Sequence, residues 1–157
     1  MKLYHGSNQP IIEINLSRGR KYKDFGQGFY TTHLHEQAIL WSKQVTDRYG
    51  GIPTVTEYEF DLDAAVADGL NIRIFEHPDK AWAEFVMANR KKGDIDFSHD
   101  YDIVIGPVAD DNIARIFGLY DMNIIDIDVV VAGLTYKELN SQYFFATARS
   151  LKYLRKI

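Results

Sequence analysis

Apolar and polar positions along this chain switch between a period of two and a period near 3.6, and the switches mark its elements. Thr54, Thr56, Tyr58, Phe60 and Leu62 share one side of a stretch whose other side carries Glu57 and Glu59, the alternation of a half-buried strand. Leu34, Ala38, Trp41 and Val45 instead recur at helical spacing, with Thr32 or His33 as the cap and Glu36 in the first turn. Tyr49-Gly50-Gly51-Ile52-Pro53 stops that helix. A second helix is expected from Asp79, with Trp82, Phe85, Val86 and Asn89 on one face, Arg90-Lys91-Lys92 in its last turn and Gly93 just beyond. Asp102 to Val108 is a continuous apolar run broken by Gly106-Pro107, which reads as a central strand entering a turn. Asp110 or Asp111 caps a third helix through Tyr120, and Asp126 or Asp128 a short fourth.

Three shorter strands complete the pattern. Lys2 to His5 is a strand broken by Gly6-Ser7-Asn8, Phe29 to Thr32 is aromatic and β-branched, and Gln142 to Ala146 is a late strand, after which Thr147 caps a terminal helix with Leu151 and Leu154 inward. Residues 17 to 28 are polar, basic and glycine-rich, and read as an ordered or mobile loop. Strands and helices are interspersed without regular βαβ spacing, so an α+β fold is expected rather than a doubly wound parallel sheet. At 157 residues, with no repeat or linker, the chain fits one domain.

Composition narrows the chemistry. A formal charge of -4 gives no general attraction to phosphate backbones, so general nucleic-acid binding is not expected. The absence of cysteine excludes disulfides, thiolate metal sites and thiol nucleophiles. No apolar run follows Lys2 as in a secretory leader, and none approaches the length of a membrane span; the cytoplasm is the expected location. Aromatic residues are abundant, with 10 Tyr, 9 Phe and 2 Trp. Trp41 and Trp82 lie on apolar helix faces and are expected in the core. His33-x-His35 lacks a third ligand and diverges at the start of a helix, so no metal site is expected.

Three segments carry candidate chemistry. Tyr4-His5-Gly6-Ser7 puts a histidine at a strand end beside a glycine whose backbone a ligand can approach closely; on its own it reads first as a histidine bonded to a nearby carbonyl. Asp24 to Thr32, DFGQGFYTT, has a Gly-x-Gly after a loop and before a strand, the reverse of the dehydrogenase arrangement and without its third glycine. Tyr30 there can stack on a flat heterocycle or fill a core. Asn140-Ser141-Gln142 opens an apolar strand, with Gln142 offering a donor and an acceptor. The basic run Arg18 to Lys23 reads as a solvated loop or as a contact for a pyrophosphate or polyanion. Asp110-Asp111 reads as a helix cap that also supports a neighbouring cleft.

Taken in this order, the segments resemble the ADP-ribosyltransferase superfamily. They are most similar to its His-Tyr-Glu branch, which includes diphtheria toxin and the poly-ADP-ribose polymerases, and within it to small bacterial ADP-ribosyltransferase-like proteins. The matching stretches are Leu3 to Ser7, Asp24 to Thr32, Tyr101 to Asp111 and Ser141 to Thr147, so the likeness covers nearly the whole chain. It implies a split antiparallel sheet with flanking helices. It also implies NAD as ADP-ribose donor: His5 bonding a ribose hydroxyl, the Gly6 backbone holding the carboxamide, Tyr30 stacking on the nicotinamide, with Ser7 and Gly28 beside the same ligand. Gln142 stands where the branch carries a glutamate, so His5, Tyr30 and Gln142 form the implied catalytic set.

The glutamine is a departure with a physical cost. Breaking the nicotinamide–ribose bond builds positive charge on the sugar; a carboxylate stabilises that charge directly, an amide only through its dipole. Either the site works with Gln142, or another acid such as Glu57 or Glu59 reaches in, or turnover is feeble. The resemblance therefore implies mono-ADP-ribosyl transfer to a macromolecular acceptor. The alternatives are NAD hydrolysis in the same cleft or a non-catalytic NAD-binding or interaction module. Kinship further implies a toxin–antitoxin or phage-conflict setting, with a small antitoxin as partner.

Overall fold

In the computed structural model, which describes residues 1–134 and 140–157, seven strands form one sheet and five α-helices pack around it. In chain order the elements are β1 (Lys2–Ser7), β2 (Phe29–Thr32), α1 (His35–Tyr49), β3 (Thr54–Phe60), α2 (Leu62–Ala67), β4 (Ile72–Ile74), α3 (Lys80–Arg90), β5 (Ile103–Pro107), α4 (Asp111–Asp121), α5 (Ile127–Leu134), β6 (Ser141–Phe145) and β7 (Leu154–Lys156). The strand order is β4-β5-β6-β2-β1-β3-β7. The fold is α+β as expected, but the sheet is mixed: β4 runs parallel to β5 while every other pair is antiparallel.

Local chemistry accounts for most boundaries. The Asp79, Asp110 and Asp126 side chains each accept a backbone N–H three residues on, at 2.9, 2.9 and 3.0 Å, the N-cap bond that satisfies an orphan donor of the first turn. Leu34, not Thr32 or His33, caps α1; Thr32 Oγ1 instead accepts from the Leu34 N–H at 3.1 Å. Gly50, at φ 78°, ends that helix. The alternation expected from Thr54 holds through Phe60, with Thr56, Tyr58 and Phe60 buried, but Asp61 then caps α2 and Leu62 enters that helix.

Three expectations are corrected. The first strand does not break at Gly6 but runs on to Ser7, because the whole segment pairs with β3, from Lys2↔Glu59 to Ser7↔Thr54. Helix α3 closes at Lys91 in extended conformation, with no glycine cap. The terminal helix is a single 3-10 turn, Ser150–Tyr153, followed by β7 on the free edge of β3. Arg149, not Thr147, is the N-cap of that turn, although Thr147 Oγ1 accepts from Ser150 N at 3.2 Å.

Two apolar clusters result. One, under α3, α4 and α5, holds Phe25, Tyr30, Trp82, Val86, Phe117 and Phe144; the other holds Leu3, Phe29, Tyr58, Phe60, Ile103 and Phe145. Phe144 and Phe145 are consecutive and enter opposite clusters, as the two-residue period of a strand requires. β1 and β2 pair at a single position, Tyr4↔Thr32. The sheet is thus joined by one pair at its centre, beside which the candidate residues His5, Tyr30 and Gln142 lie.

Candidate functional site

His5, Tyr30 and Gln142, from three different strands, line one cleft of about 600 Å³, together with Gly6, Ser7 and Gly28. Where β1 and β2 part, the imidazole of His5 fills the gap, Nδ1 lying 2.7 Å from the Tyr30 carbonyl oxygen and the ring stacked on Phe29 at 4.2 Å between centroids. Burial pushes this imidazole down to about 4, against the raising effect of the Tyr30 bond, while the Lys23 charge lowers it further. The ring is therefore neutral at pH 7. A carbonyl accepts only from an N–H, so the proton sits on Nδ1 and Nε2 keeps a lone pair as acceptor.

Tyr30 uses its hydroxyl locally. It donates to the Gly26 carbonyl at 2.6 Å and accepts from the Phe25 N–H at 3.0 Å, tying the 19–28 loop down onto β2. Burial holds the phenol well above its ordinary value. The ring packs on Phe144 at 4.7 Å, and the Lys23 ammonium stands 4.2 Å from its centroid. Lys23 as a residue is exposed, yet its ammonium over the buried ring is desolvated, which lowers its affinity for a proton. A heterocycle stacking on Tyr30 must share the ring with that cation or displace it.

Gln142 is buried, at 4% exposure, in the middle of the sheet between Thr32 of β2 and Gly106 of β5. Its Nε2 donates to Asp24 Oδ2 at 2.8 Å and to the Pro107 carbonyl at 3.3 Å. Asp24 is itself 5% exposed. Oδ1 takes Arg90 Nε at 2.8 Å and Nη2 at 2.6 Å, while Oδ2 also takes the Ala109 N–H at 2.9 Å. Four donors from a helix, a loop and a strand thus converge on one buried carboxylate that borders the cleft.

The glycines serve packing as well as access. A Cβ on Gly6 would stand 2.1 Å from the Ala38 carbonyl oxygen of α1, and one on Gly28 would stand 2.5 Å from Phe144 and from the Phe145 carbonyl. Gly6 therefore admits a helix across β1 in addition to bordering the cleft. Ser7 donates its hydroxyl to the Gln9 carbonyl at 2.6 Å.

Other placements differ from expectation. Trp41 is not in the core: α1 lays its small residues Ala38 and Ser42 against the sheet, which leaves Trp41 half-buried on the cleft wall. Trp82 is fully buried, its indole N–H donating to Pro107 O at 3.0 Å. Neither Glu57 nor Glu59 supplies an acid to the cleft. Glu57 pairs with Lys2 and Glu59 with the N-terminal ammonium, across the β1–β3 ladder. Asp110 caps α4, and only the preceding Val108 and Ala109 border the cleft.

The basic run Arg18 to Lys23 does border the cleft, but its acid, Asp24, and the cations Arg48 and Arg90 carry no local signal in the sequence. Asp24 begins the DFGQGFYTT stretch and could have been weighed as a side chain in its own right. Arg90 ends its helix, and nothing local in the sequence shows that it reaches back 66 positions to Asp24. Arg18, Arg20, Lys23, Arg48 and Arg90 all border the cleft, against the single carboxylate of Asp24. Such a cavity, rich in cations and bearing neutral acceptors at His5 and Gln142, suits a ligand with phosphates at one end and hydroxyls at the other.

A second cavity of about 340 Å³ lies further along the same face of β6, at Phe144 and Ala146. Its walls include Tyr22, Phe97, His99 and Tyr101. Among the described residues no group of three or more His, Asp or Glu is placed to hold a metal ion, and no helix is long and apolar enough to cross a membrane.

No curated protein and no solved structure matches the chain. The profile of a family described as "Protein of unknown function (DUF3990)" matches residues 1–156, and the chain belongs to that family.

Proposed function

We propose that this cleft binds NAD and that the protein transfers ADP-ribose from it to a macromolecular acceptor, as the sequence resemblance implies. The observation that carries the reading is that His5, Tyr30 and Gln142, scattered along the chain, border one cleft whose wall also holds the cations Arg18, Arg20, Lys23, Arg48 and Arg90. When bound, NAD supplies a glycosidic bond to a good leaving group. The protein's part is to bind and orient. His5 Nε2 accepts from a ribose hydroxyl, since its Nδ1 is committed to Tyr30. The Gln142 oxygen accepts from a second hydroxyl, since its Nε2 is committed to Asp24 and Pro107. Arg20 and Arg48 border the same cleft and offer charge to phosphates. The walls of Trp41 and Tyr30 exclude water from the sugar's face.

In this reading the protein is the toxin of a toxin–antitoxin pair, whose small partner covers the cleft. The test incubates the protein with labelled NAD and a cell lysate, beside His5→Ala and Gln142→Ala. Label on a macromolecule, lost in both variants, supports transfer. Nicotinamide release without label, again lost in both, assigns hydrolysis instead. NAD binding without turnover makes the protein a binding module, and no NAD binding removes all three.

A further inference from the structure

We propose that Asp24 is the positioning residue for Gln142: it fixes which end of the amide faces the cleft and supplies, behind that amide, the negative charge that a glutamate would carry. The inference rests on the NAD reading for its catalytic consequence and on the geometry alone for the pairing. Asp24 Oδ2 and the Pro107 carbonyl are both acceptors, and both lie within bonding distance of one atom of the amide, at 2.8 and 3.3 Å. That atom must be Nε2. Turning the amide over would set its oxygen against two acceptors and leave a buried N–H₂ without a partner, a double loss. The oxygen is thereby turned away from Asp24 and left for the cleft that Gln142 borders.

The carboxylate does more than hold the amide. Hydrogen bonds in a chain polarise one another, so charge on Asp24 deepens the partial negative charge on the far end of the Gln142 amide. The cations that face the same carboxylate, Arg90 from α3 and Lys23 from the loop, divide the work. Arg90 engages Oδ1 and leaves Oδ2 to Gln142 and the Ala109 N–H, while Lys23 acts at longer range. The glutamine is then no defect. A glutamate at 142 would put a second carboxylate in contact with Asp24, and two like charges so close cannot both ionise.

This makes an unusual expectation. Gln142→Glu, which installs the residue the resembling branch uses, lowers nicotinamide release by about tenfold or more and does so through kcat rather than KM. Adding Asp24→Asn to it recovers most of the loss. A second readout does not need activity. In Gln142→Glu the new carboxyl is held protonated beside Asp24, so its folded-state value lies above its unfolded one. Its contribution to stability is present at low pH and lost as pH rises. The variant's melting temperature, taken relative to wild type, therefore falls between about pH 5 and 8, and the double variant loses that slope. If wild type neither binds nor cleaves NAD, the functional reading fails while the melting slopes still decide the pairing. Gln142→Glu that melts alike at both pH values and matches or exceeds wild-type turnover overturns the proposal, because Asp24 would then exert no hold on position 142.

Discussion

The two cavities on the helix-covered face of the sheet begin two residues apart on one strand, yet their chemistry differs. Gln142 opens the larger, whose wall holds Arg18, Arg20, Lys23, Arg48 and Arg90. Phe144 opens the smaller, walled by Phe97, His99 and Tyr101 with Asp96 and Asp100 at its rim. The divider is the 19–28 loop, pinned by the Tyr30 hydroxyl on one side and by Tyr22, whose hydroxyl donates to Asp96 at 2.9 and 3.0 Å, on the other. Gly26, at φ 98°, provides the bend. In the smaller cavity His99 spends both ring nitrogens internally, Nδ1 accepting from Tyr101 N and Nε2 facing Phe25 O. In the larger, His5 and Gln142 each spend one end and keep the other. A cavity becomes a site where polar groups are held but not exhausted.

The largest effect that would sharpen this contrast falls on the carboxylates. Asp24→Ala strands Arg90, Gln142 and the Ala109 N–H; with Arg90 partly solvated, urea unfolding should show a loss of about 3 kcal/mol. Asp96→Ala, beside the second cavity, removes a bond from a more exposed tyrosine and should cost less than about 1 kcal/mol. Equal losses would mean that the buried network is no special feature of the first cavity.

The protonation of His5 gives the next effect. Its folded-state value, about 4, lies below the ordinary 6.5. Between those limits the unfolded chain takes up a proton that the folded protein refuses, so stability falls as pH drops from 6.5 to 4. The loss is about 2 kcal/mol after allowance for partial exposure of the ring. His5→Gln should flatten that part of the pH–stability curve; a curve unchanged by the substitution would contradict the buried neutral ring.

Smaller effects separate the cavities by ligand. Replacing Arg20 and Arg48 together with alanine should weaken NAD binding about tenfold, near 1.4 kcal/mol, whereas Phe97→Ala should leave it within about twofold. Lys23→Gln is the finest probe. Removing an ammonium from the Tyr30 ring should tighten binding of the cationic nicotinamide end and loosen that of ADP-ribose, which lacks it. Each change is about two- to fivefold, the scale of a cation–π contact. Changes in the same direction would mean that Lys23 serves only the phosphates.

The parts of this molecule that were legible in its sequence are those set by neighbours. Asp79 announces α3 because the cap and its N–H lie three residues apart, and Thr54 to Phe60 announces β3 because a strand's two faces alternate. The strand β7 was not legible: Leu154-Arg155-Lys156 has no pattern of its own and is a strand only because β3 offers it an edge. Helix α2 and strand β4 are similarly short. For the site, the order of segments pointed to His5, Tyr30 and Gln142. The bond that orients Gln142 spans 118 positions, and no local rule reaches that far. Trp41 shows the converse, since helical spacing gave its face but not whether a neighbour would cover it.

In the proposed function the cation-walled cleft at His5, Tyr30 and Gln142 is a nucleotide site. The most direct test is calorimetric titration of the wild-type protein with NAD, beside His5→Ala and beside Phe97→Ala in the other cavity. Wild type and Phe97→Ala should bind NAD saturably, with binding strongly weakened in His5→Ala. No heat of binding by wild type at millimolar NAD, or equal affinity in all three proteins, would contradict it.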